Sequence, residues 1–201
     1  MQSREEVLVP FGPTRDQPTT ELRSTLLTTS LQTLRSRGLL DAYFKALPPE
    51  HHDAVTHVVA GVWLPIDLGI AHYRACDSLG LQWEQVLSIG KEVGERVQGT
   101  VLGLMVRTAK STGLSPWTAL RNGMVFYERV FRGGAVGIVK LGPKEARVEL
   151  VGNPLCAVSY FRQGIRAVTS TGAELFCEKA YTVELPRLTT STSMGYRLSW
   201  A

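Results

Sequence analysis

A change in hydrophobic periodicity divides the chain at about two thirds of its length. Residues 146–151 and 196–200 alternate apolar and polar side chains, which is the period of a half-buried β-strand. Between about residues 41 and 121 the apolar side chains instead recur with helical spacing. A helical front followed by a strand-forming tail predicts one mixed α+β domain rather than an all-helical or all-β protein.

The tail predicts the order strand, strand, helix, strand, strand. A hairpin over residues 135–141 and 146–151 turns at 142–145, and a helix from about Val158 ends near Gly172. Two further strands are predicted over roughly 175–185 and 194–200. We therefore predict a four-stranded antiparallel sheet in the C-terminal part, covered by an N-terminal helical layer.

Prolines and glycines punctuate the rest of the chain. Residues 1–22, with Pro10, Pro13 and Pro18, are predicted to form a mobile N-terminal arm, and residues 23–201 a single domain. Helices are predicted over 41–47, from Pro48 to Pro65, from Pro65 to Gly80, over 92–108 and from Ser115 to about 127. Gly94, Gly99 and Gly103 interrupt the fourth of these helices, which favours close packing of a second helix or a bound ligand there.

Composition limits the class of protein. The chain has 201 residues and a net charge of +4, and its three cysteines form no CxxC pair. An odd number of unpaired cysteines favours a reducing compartment. We also find neither a signal peptide nor an apolar run of about 20 residues. These features predict a cytoplasmic protein without a membrane span.

No pattern of catalytic residues is present. The sequence contains no GxSxG, no HExxH and no glycine-rich phosphate loop. His51, His52, Asp53 and His57 are close in sequence, but a solvated start of a helix explains them better than a metal site, which would need a further ligand. We therefore predict no enzyme activity, no metal and no cofactor.

Two alternative roles follow from the remaining residues. Apolar and aromatic side chains at the helix–sheet interface are either core or the lining of a pocket for a small apolar ligand or a protein partner. The pocket candidates are Trp63, Tyr73, Val97, Val101, Met105, Phe126 and Phe161.

The second role is a scaffold that binds an acidic partner or nucleic acid. Between residues 101 and 144 there is one acid, Glu128, and a set of basic residues: Arg107, Lys110, Arg121, Arg129, Arg132, Lys140 and Lys144. A solvated face balanced by acids from elsewhere is the favoured explanation of this set, so nucleic acid is the less favoured partner. Homodimerisation through the strand at 194–200 is a further possibility if that strand lies at a sheet edge.

Several short motifs resemble a known family. They are the segments 62–65 (VWLP), 99–103 (GTVLG), 126–129 (FYER), 141–144 (LGPK) and 196–200 (YRLSW). Together they resemble an uncharacterised domain family described mainly in myxobacteria, over residues 24–201. That family is similar in layout to the superfamily of haem nitric-oxide sensors, four-vinyl-reductase-type ligand-binding domains and small subunits of the TRAPP tethering complexes.

The resemblance implies a helical layer over a four-stranded antiparallel sheet, with a ligand or acyl-chain cavity between them. The chain lacks a histidine after His72 and the Tyr-x-Ser-x-Arg motif of the haem branch, so the resemblance implies no haem-binding residues. The sequence thus predicts a non-enzymatic, cytosolic sensor or adaptor module that binds a small apolar ligand or a partner.

Overall fold

Helices form the N-terminal half of the protein. The computed structural model describes residues 5–101 and 115–201, with the side chains of 5–95 and 115–201. The helices are α1 (Ser24–Ser36), α2 (Leu40–Ala46), α3 (His52–Thr56), α4 (Ile66–Asp77), α5 (Trp83–Val101), α6 (Pro116–Arg121), α7 (Gly123–Val130) and α8 (Ser159–Ala173). Pro65 precedes α4 and Gly80, with φ of +63°, follows it, as predicted.

The main sheet is antiparallel and has five strands. Its strands are β1 (Glu6–Val9), β5 (Ala135–Gly142), β6 (Glu145–Val151), β7 (Ala180–Glu184) and β8 (Met194–Trp200), in the spatial order β1-β5-β6-β8-β7. The last four are the predicted strands, and α8 lies between β6 and β7 in the chain. The α+β prediction is therefore confirmed, with one strand more than expected.

The additional strand comes from the segment that was predicted to be a mobile arm. Glu6–Val9 forms β1 and pairs antiparallel with β5, with Val7 opposite Val139. Residues 14–19 are then held by backbone bonds, among them Thr19 N–H to the Gly152 carbonyl (2.7 Å) and Gly134 N–H to the Gln17 carbonyl (2.8 Å). Residues 14–19 stay against the sheet because they form hydrogen bonds with backbone groups that would otherwise lack partners.

A second, three-stranded sheet was not predicted. β2 (Glu21–Arg23) lies between β3 (Trp63–Pro65) and β4 (Phe131–Arg132). The prediction of a helix from Pro48 to Pro65 was wrong, because α3 ends at Thr56 and Gly61, with φ of +87°, turns the chain into β3. Val59, which lies within that predicted helix, is exposed.

The core fills the space between the main sheet and α8. The central strands are buried on the face that the helices cover, through residues such as Ile138, Val148 and Tyr196. Ile138 lies against Gly123 of α7. The Tyr196 hydroxyl also lies 2.8 Å from Thr169 Oγ1 of α8. On the same helix, Arg162 Nε donates to Glu184 of β7 at 3.0 Å. Apolar burial and these polar contacts together fix the position of α8 on the sheet.

Helices α5 and α8 cross at close range through small residues. A Cβ atom at Gly90 would lie 2.7 Å from the Ala167 Cβ, and one at Gly94 would lie 3.2 Å from the Thr171 Cβ. Close helix packing, one of the two predicted reasons for the glycines, therefore accounts for Gly94. Gly99 has no described surroundings and Gly103 lies outside the described residues.

The strand proposed for homodimerisation is not an edge strand. β8 pairs with β6 on one side and β7 on the other, so its backbone groups are already used within the sheet. The edges are β1 and β7. Among the helices that the structure describes, none combines the length and the apolar character needed to cross a membrane.

Candidate functional site

A small cavity lies where four helices of the two halves meet. Its volume is about 40 Å³, and it opens between α1, α4, α5 and α8. Its walls are almost entirely apolar. The described lining residues are Leu26, Ser30, Tyr73, Val86, Ile89, Gly90, Val93, Tyr160, Phe161, Gly164, Ile165 and Val168.

One residue of the cavity wall carries a buried hydroxyl group without a well-formed hydrogen bond. Tyr160 is 4% exposed, and its hydroxyl oxygen has no partner at full hydrogen-bond geometry among the described residues. Burial raises the pKa of this phenol, and the Ser30 hydroxyl and the Cys76 thiol act on that pKa only as weakly bonded neighbours. The phenol therefore keeps its proton. A buried hydroxyl without a partner is uncommon, because its lost hydration is not replaced.

A buried histidine contacts Ser30, one of the polar residues of the cavity wall. His72 is fully buried, with Nδ1 2.8 Å from the Tyr43 hydroxyl and Nε2 3.0 Å from Ser30 Oγ. Burial lowers the pKa of His72 to about 3. The ring is consequently neutral near pH 7, with one nitrogen as donor and the other as acceptor.

The cysteine next to this network is not activated. Burial raises the pKa of the Cys76 thiol, and the nearby Asp77 carboxylate raises it as well. A thiol is nucleophilic as the thiolate. The position of Cys76 therefore favours a packing role over nucleophilic chemistry.

The predicted pocket residues are only partly brought together. Tyr73 and Phe161 line the cavity, with their rings 5.2 Å apart. Trp63 instead lies in β3, where the Arg23 and Arg132 guanidinium groups are 4.9 Å and 4.4 Å from its ring centroid. Phe126 is half-buried on α7 and is not among the described lining residues. The remaining three candidates have no described side chains: Val97, Val101 and Met105.

Sequence reasoning missed most of the α5 side of the cavity. Val86 and Ile89 continue the helical spacing of Val93, but the predicted helix began at residue 92 instead of Trp83 and therefore left them out. Their spacing could have placed the start of this helix correctly from the sequence. Ser30 and Tyr160 had no such signal, because an unpaired hydroxyl becomes evident only in three dimensions.

The basic segment does not form one unopposed patch in the described structure. Arg132 pairs with Glu21 at 2.7 Å and Lys140 with Glu6 at 3.6 Å. Arg121, Arg129 and Lys144 are exposed, and Arg107 and Lys110 lie outside the described residues. Acids from the N-terminal segment thus balance part of the charge, as expected for a solvated face.

Comparison with known proteins identifies the fold. No family model and no curated protein matches the sequence. The Fe(II) unliganded H-NOX protein from K. algicida is similar with a TM-score of 0.65 at 10% identity, covering 90% of this chain and 97% of that one. An oxygen-binding H-NOX domain related to soluble guanylate cyclases gives 0.59 at 10% identity, covering 89% and 95%. The chain shares the fold of these H-NOX domains.

The haem-sensor layout implied by the sequence is thereby confirmed at the level of fold. The narrower resemblance to a myxobacterial family stays a prediction, as do the four-vinyl-reductase and TRAPP resemblances. At 9–12% identity the likeness carries no residue roles.

Haem is named for two of the similar structures, and the residues that the structure describes in this chain do not fit it. Pockets for ligands of drug size usually measure about 300–1,000 Å³, whereas the cavity at the helix crossing measures about 40 Å³. Both nitrogens of His72 are already hydrogen-bonded. The other three histidines, His51, His52 and His57, lie in or next to the short helix α3, away from the described cavity lining.

Proposed function

We propose that this protein is a haem-independent sensor or adaptor module that binds a small neutral ligand in the cavity between α1, α4, α5 and α8. The single observation that supports this most directly is that Tyr160, a residue of an otherwise apolar cavity wall, has a buried hydroxyl without a well-formed hydrogen bond among the described residues. The three cysteines, all unpaired, agree with a cytosolic location.

The dimensions of the cavity restrict the size of the ligand. A volume of about 40 Å³ accommodates roughly three water-sized atoms, since each needs about 10–15 Å³. None of the described lining residues is charged, and a buried ion without a counter-ion is strongly disfavoured. The ligand is therefore neutral and has about two or three heavy atoms.

The hydroxyl of Tyr160 determines the polarity of the ligand. Since burial raises the pKa of this phenol, it is available as a hydrogen-bond donor. A ligand with an acceptor at one end and an apolar remainder satisfies both the hydroxyl and the aliphatic walls. This class comprises small nitriles, carbonyl compounds and comparable diatomic or triatomic molecules.

The position of the cavity suits a sensor. Helix α8 contributes Tyr160, Phe161 and Gly164 to the cavity, and the same helix contacts the sheet through Thr169 and Arg162. A ligand that separates α5 from α8 therefore alters how α8 lies on the sheet. Binding that favours one of two such arrangements is the general basis of a sensor.

Filling the cavity should abolish ligand binding without unfolding the protein. A Cβ atom at Gly164 meets no described atom within 4 Å, although this glycine lines the cavity. We expect Gly164→Ala to raise the free energy of unfolding by about 0.4–1 kcal/mol, as alanine restricts the unfolded chain. Gly164→Val should occupy the cavity. Methyl NMR under xenon should show saturable shifts of Val86 and Ile89 in the wild type, smaller ones in Gly164→Ala and none in Gly164→Val.

The graded series at one position serves as its own control. Equal xenon-induced shifts in the wild type and Gly164→Val would contradict the proposed site. A wild type without xenon shifts would contradict the ligand-binding proposal as a whole. Native mass spectrometry of the wild type and Gly164→Val, each purified from the native host, would then test for a bound natural ligand.

The role of Tyr160 predicts a separate effect on polar probes. Tyr160→Phe removes a hydroxyl that makes no well-formed hydrogen bond among the described residues, so we expect it to be at least as stable as the wild type. Its affinity for acetonitrile should fall roughly five- to tenfold, which corresponds to the loss of one neutral hydrogen bond. Xenon binding should remain unchanged. Chemical-shift titration of the cavity methyl groups measures both.

A second tyrosine offers a matched control for stability. The buried Tyr127 hydroxyl lies 3.0 Å from Thr19 Oγ1 and accepts from Asn153 Nδ2 at 3.3 Å. We expect Tyr127→Phe to lose about 1 kcal/mol, because its partners are left unsatisfied. If Tyr160→Phe is destabilised as much as Tyr127→Phe, the Tyr160 hydroxyl is already bonded within the protein and the assignment fails.

A further inference from the structure

The β5 edge of the main sheet is covered by a short strand of the same chain. β1 pairs with β5 through Glu6 opposite Lys140, Val7 opposite Val139 and Val9 opposite Ile138. Without β1, the backbone N–H and C=O groups on this side of β5 would be available to another extended segment. Such an edge is the site at which β-strand addition occurs.

β1 is held by few strong contacts. It has four residues, and its register shifts between Val7 and Val9. Val7 is 64% exposed, and Val9 is the one buried residue of the strand. The pairs Glu6–Lys140 (3.6 Å) and Glu5–Arg147 (2.8 Å) are partly exposed, and ion pairs of this type contribute little. Short, exposed elements of this kind open at low free energy.

Firm anchoring of the segment begins after β1. The Phe11 ring lies against Gly137, with the Arg15 guanidinium 4.7 Å from its centroid. Thr14 Oγ1 donates to the Gly134 carbonyl at 2.6 Å. Residues 5–9 can therefore leave β5 while residues 11–20 stay in place, and the main cost is the exposure of Val9.

The opposite edge of the sheet is protected by side chains. On β7, Ala180 N–H donates to Glu174 Oε1 at 3.2 Å, and the Thr182 carbonyl accepts from Arg166 at 2.9 Å. Side chains of α8 and its C-terminal cap thus occupy backbone groups of β7 that a further strand would need. Strand addition at β7 is disfavoured, whereas β5 already accepts a strand.

We infer that the β5 edge is a docking site for an extended segment of a partner protein, which β1 occupies in the absence of that partner. The contacts of β1 define the partner's chemistry. It carries two consecutive acidic residues that reach Arg147 and Lys140, followed by β-branched residues opposite Val139 and Ile138, like the Glu-Glu-Val-Leu-Val sequence of residues 5–9. Backbone hydrogen bonds with β5 supply the affinity, and the ion pairs with Arg147 and Lys140 determine the register in which the segment pairs.

Releasing β1 in the full-length protein tests this inference. The variant Glu5→Lys/Glu6→Lys places lysines beside Arg147 and Lys140, so that β1 is repelled from the edge. A labelled peptide with the sequence of residues 4–10 should then bind at least about tenfold more tightly than to the wild type, because the competing strand is gone. Fluorescence anisotropy measures the affinity, and unchanged thermal unfolding shows that the fold is retained.

Three controls separate docking from general charge attraction. Glu50→Lys/Glu84→Lys has the same net charge, and both sites are exposed and outside β1, so it should bind the peptide as weakly as the wild type. Adding Lys140→Glu to the released variant should weaken binding, and a peptide with lysine in place of its second glutamate alone should restore it, because the first glutamate still reaches Arg147. Equal binding by the wild type and the released variant overturns the inference. If the wild type instead forms dimers that depend on its concentration, a second copy of the chain occupies the β5 edge, and this result also overturns the inference.

Discussion

Acidification should destabilise this protein steeply because His72 is buried in its neutral form. Its pKa is lowered from 6.5 to about 3 by burial. Between these values the unfolded chain binds a proton that the folded chain does not, so the free energy of unfolding rises with pH. The contribution is fully present above pH 6.5 and is lost as the pH falls towards 3, at about 1.4 kcal/mol per pH unit. Urea unfolding at a series of pH values measures this slope.

Two histidine variants isolate this effect from that of the carboxylates. Gln can donate and accept hydrogen bonds without titrating, so His72→Gln should be less stable near pH 7 by about 1–3 kcal/mol and should show a shallower dependence on pH. His57 is 74% exposed at its side chain, and His57→Gln should retain the wild-type slope. If His72→Gln and the wild type lose stability in parallel below pH 6.5, His72 is not the group responsible.

The parts of the fold that could be predicted are those whose signal is local. β5 and β6 form the predicted hairpin, in which β6 alternates buried and half-buried side chains, and the apolar spacing from Val158 onwards marks α8. In contrast, β1 and the three-stranded sheet depend on partners far away in sequence. Leu22, for instance, pairs with Leu64 and Phe131. A strand of two to four residues is too short to show a period, so its pairing could not be predicted.

The candidate site was predictable to a similar extent. Tyr73 and Phe161 belong to apolar stripes that face the interior, and such stripes indicate burial reliably. They do not indicate whether a buried ring borders a cavity or packed core. Trp63 was assigned to the pocket for its aromatic character, yet it stacks with Arg132 at 4.4 Å in the smaller sheet. The small size of the cavity also depends on how closely α5 approaches α8, which the glycine positions alone do not specify.

Replacement of Gly133 by alanine should be among the most damaging single changes in the chain. Gly133 has φ of +83°, and a Cβ atom there would overlap the Pro18 carbonyl oxygen. The docked segment would have to move, which would disturb the bond from Thr19 Oγ1 to the Gly133 carbonyl (3.0 Å) and the buried contact of Thr19 with Tyr127. We expect a loss of at least about 3 kcal/mol, combining backbone strain with lost buried hydrogen bonds. Chemical denaturation measures it.

Gly38 separates the two causes of this loss. Its φ is +69°, close to that of Gly133, but a Cβ atom would meet no described atom within 4 Å. Gly38→Ala should therefore lose only the backbone term, about 1 kcal/mol. The difference between the two variants measures how strongly residues 14–19 are attached to the turn at Gly133. Equal losses would mean that residues 14–19 can move away from Gly133 without a cost in free energy. In that case these residues would not hold the rest of the segment in place when β1 is released.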